Sequence, residues 1–232
     1  MTLPNKLSTL RICMVPLFIA AYFLPYHWGA FVAVGIFALA AFTDFLDGYI
    51  ARKYNMISDL GKLLDPIADK VLICAALFCV VATNPLQYLA YLDVANQADW
   101  IRLDSHLWAI DFGVIFLSVG AALIISRELL VSAVRQIAAS KGVVVQANIF
   151  GKVKTVFQDV SLPLLILLHG ASIYAQDAVS SLTFMPYDYT PSLFYTVVWW
   201  IAVVMFAISI VMTVVSGVIY LVQNRKVFTH ND

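Results

Sequence analysis

Six mostly apolar stretches, separated by short polar segments, run along the chain. They cover residues Leu10–Leu24, Trp28–Ile50, Leu63–Ala82, Leu107–Ser126, Val153–Ala175 and Leu193–Leu221. A helix that crosses a bilayer needs about 20 predominantly apolar residues. The pattern therefore predicts an all-α protein with six transmembrane helices in one domain, residues 1–232, and the sequence shows no internal repeat.

The composition also indicates an integral membrane protein. Hydrophobic residues make up 62% of the chain and charged residues 12%, with a mean hydropathy of +0.88. A soluble domain is about half apolar and about a quarter charged. Lys6 and Arg11 precede the first apolar run as they would in a cleaved signal, but bulky residues occupy the place of a small-residue cleavage site. We interpret this run as a retained membrane helix.

The basic residues predict the orientation of the six helices. Among the 14 Lys and Arg residues, Arg102 is the single one outside the termini, the linkers 51–62 and 127–152, and the adjoining helix ends. Cytoplasmic segments carry an excess of Lys and Arg. We therefore expect both termini and both basic linkers to face the cytoplasm. The formal net charge is zero, and nothing in the sequence indicates a nucleic-acid partner.

Four aspartates lie near the cytoplasmic ends of the second and third predicted helices. They are Asp44, Asp47, Asp65 and Asp69. The first pair has i,i+3 spacing and the second i,i+4 spacing, so each pair shares one helix face. The uninterrupted apolar run Val71–Thr83 is too short to cross a bilayer, so the third helix must begin near Leu63. All four carboxylates are then expected at the same depth.

Such a group of acids predicts a site for divalent cations. Four carboxylates at close range do not all stay ionised without a cation between them. Oxygen donors suit Mg²⁺, Mn²⁺ or Ca²⁺ rather than zinc or copper. Two bridged divalent ions would neutralise the acids and bind a pyrophosphate. A single acid at a helix end is usually interfacial, and Asp59 is expected to be a solvated or helix-capping residue.

The acids belong to a longer pattern, D-x2-D-G-x2-A-R-x8-G-x3-D-x3-D. Its members are Asp44, Asp47, Gly48, Ala51, Arg52, Gly61, Asp65 and Asp69. This pattern resembles that of the CDP-alcohol phosphotransferases, membrane enzymes that make phospholipids. The resemblance implies a six-helix homodimer in a bacterial inner membrane, with its active site facing the cytoplasm. It also implies Mg²⁺ or Mn²⁺, two ions per site, as the cofactor.

The same resemblance implies a role for each motif residue. The four aspartates hold the metal ions, and Asp69 also acts as the general base. The residues around the cytidine diphosphate are Asp47, Gly48, Ala51, Arg52, Gly61 and Asp65. An acceptor hydroxyl attacks the lipid-linked phosphorus of CDP-diacylglycerol directly, and cytidine monophosphate (CMP) leaves.

The second basic linker bears on the acceptor alcohol. Arg127 and Arg135 lie in "SRELLVSAVRQ", and Lys152 lies in "NIFGKVKTVFQ", where Asn148 is a plausible helix cap. Cations of this kind suit an acceptor that carries a phosphate. With the opening "NKLSTLR", these stretches resemble family members that use sn-glycerol 3-phosphate, and the resemblance implies that the three cations bind its phosphate.

Other readings of these residues stay open. The preference for cytoplasmic cations by itself explains Lys141 and Lys154, and Glu128 is expected to pair with a nearby cation or to be structural. The acceptor could instead be an inositol phosphate, serine or phosphatidylglycerol. A cation transporter would carry acids through the membrane and internal repeats, whereas here Asp159 is the one further acid within a later helix. A lipid-binding scaffold would be expected to lack some of the acids.

Overall fold

The computed structural model describes the backbone of residues 3–54, 59–87, 103–140, 149–181 and 193–223. Side chains are described at 6–43, 67–68, 70–86, 112–138, 149–174 and 193–223. Six α-helices account for nearly all of these residues. They are α1 Leu3–Tyr22, α2 Trp28–Tyr54, α3 Asp59–Thr83, α4 Leu103–Ser140, α5 Ile149–Ser181 and α6 Leu193–Gln223. A short 3-10 turn, Pro85–Gln87, follows α3, and no strand occurs within the described ranges.

Within the described residues, three helices are long and apolar enough to cross a membrane. They contain the segments Phe112–Ala138, Ile149–Tyr174 and Leu193–Gln223, with mean hydropathies of 2.1, 1.5 and 2.6. Shorter apolar segments, Trp28–Thr43 and Lys70–Thr83, lie in α2 and α3. The predicted helical membrane protein is thus confirmed in this coarser form, while the count of six spans stays a prediction.

Several helices extend beyond the apolar stretches that predicted them. Helix α4 continues to Ser140 rather than ending near Ser126, and α3 begins at Asp59 rather than near Leu63. The added part of α4 has an inner face, because Val131, Val134 and Ala138 are buried at helical spacing. Hydropathy locates the lipid-facing part of a helix, but packing against neighbours keeps its polar end helical.

Helix α5 is the central element of the bundle. It packs against α2, α3 and α6, while α1 packs against α2 and α3, and α4 packs against α3 and α6. The shared core contains large buried side chains from all six of the described helices. Among them are Phe18, Phe37, Leu77, Leu117, Leu165 and Phe206. A continuous core across these helices supports one packed unit.

The two ends of the bundle are held by different contacts. At the end called the aromatic end, Tyr22 stacks on His169 with ring centroids 4.4 Å apart, and its hydroxyl lies 2.6 Å from Thr83 Oγ1. A Cβ on Gly170 would lie 2.5 Å from Ala30 Cβ, so this glycine lets α5 and α2 approach closely. At the opposite, charged end, Lys70 contacts Ser132, and Lys154 contacts Glu128. Side-chain contacts therefore join different helices at both ends of the bundle.

Candidate functional site

The inward face of α2 leads to the first pair of acids. Buried residues recur along this helix at alternating steps of three and four. They are Ala30, Ala33, Phe37 and Ala40. Continuing the same steps gives Asp44, Asp47 and Ala51, still within α2. The helical register therefore places both acids on the face that is buried earlier in α2.

Helix α3 shows the same relation in the opposite direction. Leu72, Ala76 and Val80 form a buried row on this helix. Continuing the row toward the start of α3 gives Asp69 and Asp65, and one turn earlier Gly61. Both acid pairs thus occupy positions that continue buried rows of their helices.

The side chains of the eight motif residues lie outside the described side chains. These residues are Asp44, Asp47, Gly48, Ala51, Arg52, Gly61, Asp65 and Asp69. Among the side chains that are described, no group of three His, Cys, Asp or Glu residues could hold a metal ion. The predicted metal ligands are therefore supported by helical register, and their roles stay predictions.

A buried arginine on α1 lies at the level of the first acid pair. Phe18 and Phe37 face each other across the α1–α2 hairpin, with ring centroids 6.2 Å apart. Because the hairpin is antiparallel, Arg11 is level with Asp44. Arg11 is 1% exposed and is the largest fully buried side chain described. In the sequence, Arg11 is a basic residue before an apolar run and the last residue of the opening "NKLSTLR", and neither feature predicts its burial.

The three cations predicted to bind the acceptor phosphate line one cavity. Arg127 and Arg135 come from α4 and Lys152 comes from α5, and the cavity has a volume of about 210 Å³. The two arginines share a face of α4 with Val131, which lies midway between them and lines the same cavity. The structure thus brings together three side chains from two helices. In the sequence they were linked by their charge and by the family resemblance.

Two glycines make room for Arg127. A Cβ on Gly151 would lie 3.0 Å from Arg127 Nη2, and a Cβ on Gly217 would lie 3.4 Å from Arg127 Cγ. The first distance is tighter than ordinary van der Waals contact, so a larger residue at 151 would push against the guanidinium. The small residues of α5 and α6 therefore permit this position of Arg127.

Glu128 joins two of the cations at the base of this cluster. Its Oε1 lies 2.5 Å from Lys154 Nζ and 3.0 Å from Arg127 Nη1. The expectation that Glu128 pairs with a nearby cation is confirmed. The simple topological explanation of Lys154 is wrong, because this residue is only 1% exposed and its charge is buried against Glu128. Buried charges of this kind require a close partner.

A second cavity of about 350 Å³ lies beside the first and shares Arg127 and Arg135 with it. Its other walls include Lys70 and Ile73 from α3, and Gln158 from α5. Ile73 lies one turn after Asp69 and directly follows Leu72 of the buried α3 row. The turn of α3 that follows Asp69 therefore contributes to a cavity that the arginines also line.

The described lining of the two cavities is strongly cationic. It includes Lys70, Arg127, Arg135, Lys152 and Lys154, with Glu128 as the one acid among the described lining residues. A concave surface with this excess of positive charge attracts anions, including phosphates. Its chemistry therefore fits a phosphate-bearing ligand.

Comparison with known proteins places the chain in a family with matching chemistry. The family model described as CDP-alcohol phosphatidyltransferase matches residues 1–185 of the 232 residues. The chain therefore belongs to the CDP-alcohol phosphatidyltransferase family, as its aspartate pattern predicted.

Individual relatives carry two different names. A protein of Bacillus subtilis named CDP-diacylglycerol–glycerol-3-phosphate 3-phosphatidyltransferase is 34% identical, over 71% of this chain and 76% of its own length. A Pseudomonas fluorescens protein of the same name is 35% identical, over 61% of this chain and 58% of its own length. A rice protein named cardiolipin synthase (CMP-forming) is 37% identical, over 77% of this chain and 50% of its own length. The chain thus spans only about half of some curated relatives.

Proposed function

We propose that this protein transfers the phosphatidyl group of CDP-diacylglycerol to sn-glycerol 3-phosphate, forming phosphatidylglycerophosphate and CMP. The observation that carries this proposal is the meeting of Arg127, Arg135 and Lys152 around one cavity. A neutral alcohol would not need this group of cations, whereas a phosphate dianion would. The names of the Bacillus and Pseudomonas relatives agree with this acceptor.

The four aspartates would hold Mg²⁺ or Mn²⁺, with two ions per site. Their chemistry fits these ions, because all donors are carboxylate oxygens. The rows on α2 and α3 would bring the two pairs toward each other from two helices that both pack against α1 and α5. When bound, the ions would offset negative charge on the pyrophosphate and on the departing CMP.

The other motif residues would bind the nucleotide. Gly48, Ala51 and Gly61 are small, so they would leave space beside the acids for a bulky cytidine diphosphate. Arg52, near the end of α2, would add a cation for its phosphates. Asp47 and Asp65 would contact the same group through their metal-facing carboxylates.

Asp69 would act as the general base. It would accept the proton of the acceptor hydroxyl while the hydroxyl oxygen forms a bond to the lipid-linked phosphorus. The bond from that phosphorus to the CMP oxygen breaks, and CMP takes the bonding electrons. This role of Asp69 is supported by the position of Ile73. Ile73 lies one turn after Asp69 and lines the cavity beside the arginines.

Arg127, Arg135 and Lys152 would hold the acceptor phosphate away from the reacting phosphorus. Arginine offers several N–H donors in a planar arrangement that matches phosphate oxygens. Glu128 would keep Arg127 in place through its 3.0 Å contact, and Lys154 would balance the charge of Glu128. Binding in this way orients the acceptor hydroxyl toward the acid row.

The proposed setting is a multi-pass protein of the bacterial inner membrane that works as a homodimer. We propose six transmembrane helices, both termini in the cytoplasm, and a site open to the cytoplasm, all in one domain. Three membrane-capable helices and the shorter apolar segments of α2 and α3 support this arrangement. The distribution of Lys and Arg supports its orientation. A membrane lipid substrate and a water-soluble acceptor could meet at such a boundary.

Phosphatidylglycerol is the second candidate acceptor. A large apolar groove of about 1030 Å³ lies between α1, α3 and α4, and Lys70 and Ser132 belong to both this groove and the cationic cavity. Such a groove could accommodate the chains of a lipid acceptor. The rice relative, named a cardiolipin synthase, is consistent with this alternative.

One assay separates these candidates. Purified protein receives CDP-diacylglycerol and Mg²⁺ with glycerol 3-phosphate, phosphatidylglycerol, serine or inositol phosphate, and CMP release and lipid product mass are measured. We expect CMP and phosphatidylglycerophosphate with glycerol 3-phosphate, and no release without metal. Product with phosphatidylglycerol alone would replace the proposed acceptor, and the absence of CMP with every alcohol would contradict the proposed chemistry.

A further inference from the structure

Gln158 is a buried amide whose side chain lacks a hydrogen-bond partner. It lies on α5 and is 1% exposed, and neither its Oε1 nor its Nε2 has a partner within the described residues. The side chain lines the cavity of about 350 Å³ that the arginines share. Burying an amide without hydrogen bonds is unfavourable, so such a residue beside a cavity indicates a ligand that supplies them.

The chemistry of Gln158 differs from that of the basic side chains around it. Ser132 and Thr155 also line the cavity, but their hydroxyls already donate to backbone carbonyls of α4 and α5. Arg127, Arg135, Lys70 and Lys154 have only N–H donors, which suit a phosphate whose oxygens accept hydrogen bonds. A carboxamide both donates and accepts, and so does an alcohol hydroxyl. Gln158 therefore complements a hydroxyl group on the same molecule whose phosphate the cations bind.

The position of Gln158 fits this division. It lies one turn beyond Lys154 on α5 and shares a helix face with it. The same cavity is also lined by Ile73, one turn after Asp69 on α3. An acceptor with its phosphate at the arginines and its reacting hydroxyl toward the acids would have its middle carbon within this cavity.

We propose that Gln158 is a specificity-determining residue that hydrogen-bonds the secondary hydroxyl of a short polyol phosphate. This inference rests on the proposed function and adds to it the feature by which the acceptor is selected. An acceptor without that hydroxyl would leave the buried amide unpaired. Sites built to bind a hydroxyl discriminate strongly against analogues that lack it.

The test compares two acceptors that differ by that hydroxyl alone. These are sn-glycerol 3-phosphate and 3-hydroxypropyl phosphate, which keeps the phosphate and the primary hydroxyl. The proteins are the wild type, Gln158→Met, Gln158→Leu and the control Gln223→Met, whose glutamine is exposed at the end of α6. With CDP-diacylglycerol and Mg²⁺ present, kcat/KM is measured for each acceptor.

We expect the wild type and Gln223→Met to prefer glycerol 3-phosphate by about 10- to 100-fold, the range for one buried hydrogen-bonding group. In both Gln158 variants the ratio should fall toward one, mainly through slower use of glycerol 3-phosphate. An unchanged ratio in Gln158→Met would overturn the inference. Equal use of the two acceptors by the wild type would overturn it as well, without contradicting the proposed reaction.

A binding measurement covers variants that turn over slowly. The rise in Tm on adding each acceptor to the metal-loaded protein reports binding without turnover. Methionine has nearly the length and shape of glutamine, so Gln158→Met is expected to fold. A larger rise with glycerol 3-phosphate in the wild type, but equal rises in Gln158→Met, supports the inference, and a retained difference overturns it. If neither acceptor yields CMP with the wild type, the proposed function itself is contradicted.

Discussion

The aromatic end and the charged end of the bundle both bury polar side chains, but they treat them differently. At the aromatic end, Trp199 Nε1 donates to the Leu86 carbonyl at 3.1 Å, and Ser172 Oγ donates to the His169 carbonyl at 2.7 Å. Thr83 Oγ1 donates to the Cys79 carbonyl, so the Tyr22 hydroxyl donates to Thr83 Oγ1. Within the described residues, His169 Nδ1 has no hydrogen-bond partner.

The charged end contains more cations and polar groups than its described acid, Glu128, pairs with. Glu128 has two cationic partners, yet three further cations line the adjoining cavities. Arg127 Nε and both polar side-chain atoms of Gln158, Oε1 and Nε2, lack hydrogen-bond partners among the described residues. Polar groups that satisfy one another stabilise a fold, whereas groups left open toward a cavity await a ligand. The contrast therefore supports a structural role for the aromatic end and agrees with the substrate binding proposed for the charged end.

Removing the metal should give the largest effect. We expect EDTA to abolish CMP release, because the charge of the pyrophosphate and of four carboxylates would no longer be offset. Adding Mg²⁺ or Mn²⁺ should restore activity. Circular dichroism before and after chelation checks that the helices persist. An unchanged rate of CMP release after chelation would contradict the proposed metal site.

The next largest effect is expected from Asp69→Asn. Losing a general base should lower kcat by about 10²- to 10⁴-fold, while CDP-diacylglycerol still binds. The control is Asp59→Asn, the same change at the first residue of α3, which should retain the wild-type rate. Initial rates and CDP-diacylglycerol binding are measured for both. A near-normal rate in Asp69→Asn would reject its role as the base.

Glu128→Gln tests the structural part of the charged end. Lys154 would lose its acid while remaining buried, and breaking a buried ion pair in this way costs about 3–5 kcal/mol. We expect a clearly lower Tm in detergent. The double variant Glu128→Gln, Lys154→Met should recover part of that loss, because the unpaired cation is gone. A Tm equal to wild type in the single variant would show that the cluster is not stabilising.

Arg135→Ala tests the open cations. Loss of charged hydrogen bonds to the acceptor phosphate, about 1.5–3 kcal/mol, should raise the KM for glycerol 3-phosphate by about 10- to 100-fold. The KM of Arg135→Lys should lie between those of the wild type and Arg135→Ala, because lysine keeps the charge and loses the planar donor pair. Steady-state kinetics with each substrate varied provides the measurement. An effect limited to CDP-diacylglycerol would contradict the assigned role.

The smallest effect is expected at the aromatic end. Tyr22→Phe removes one buried hydrogen bond to Thr83 and should lower stability by about 1 kcal/mol. The KM for either substrate should not change. Thr83→Val and the double variant complete a cycle that measures the pair by Tm. A changed acceptor KM in Tyr22→Phe would contradict the separate roles of the two ends.

The sequence determined the helical class, the main apolar segments, the family and the positions of the acids. These features are local, since hydropathy and i,i+3 or i,i+4 spacing describe one helix at a time. The same spacing also placed Arg127 and Arg135 on one face of α4. The helix ends were less predictable, because the polar extension of α4 is held by packing rather than by hydropathy.

Only the tertiary structure decided which charges are paired and which face a cavity. Lys152 and Lys154 are two residues apart, yet one is exposed at the cavity and the other is buried against Glu128. The burial of Arg11 and the unpartnered amide of Gln158 were equally invisible in the sequence. The physical reason is that burial and pairing depend on neighbouring helices, and the sequence of one helix does not specify what its neighbours present.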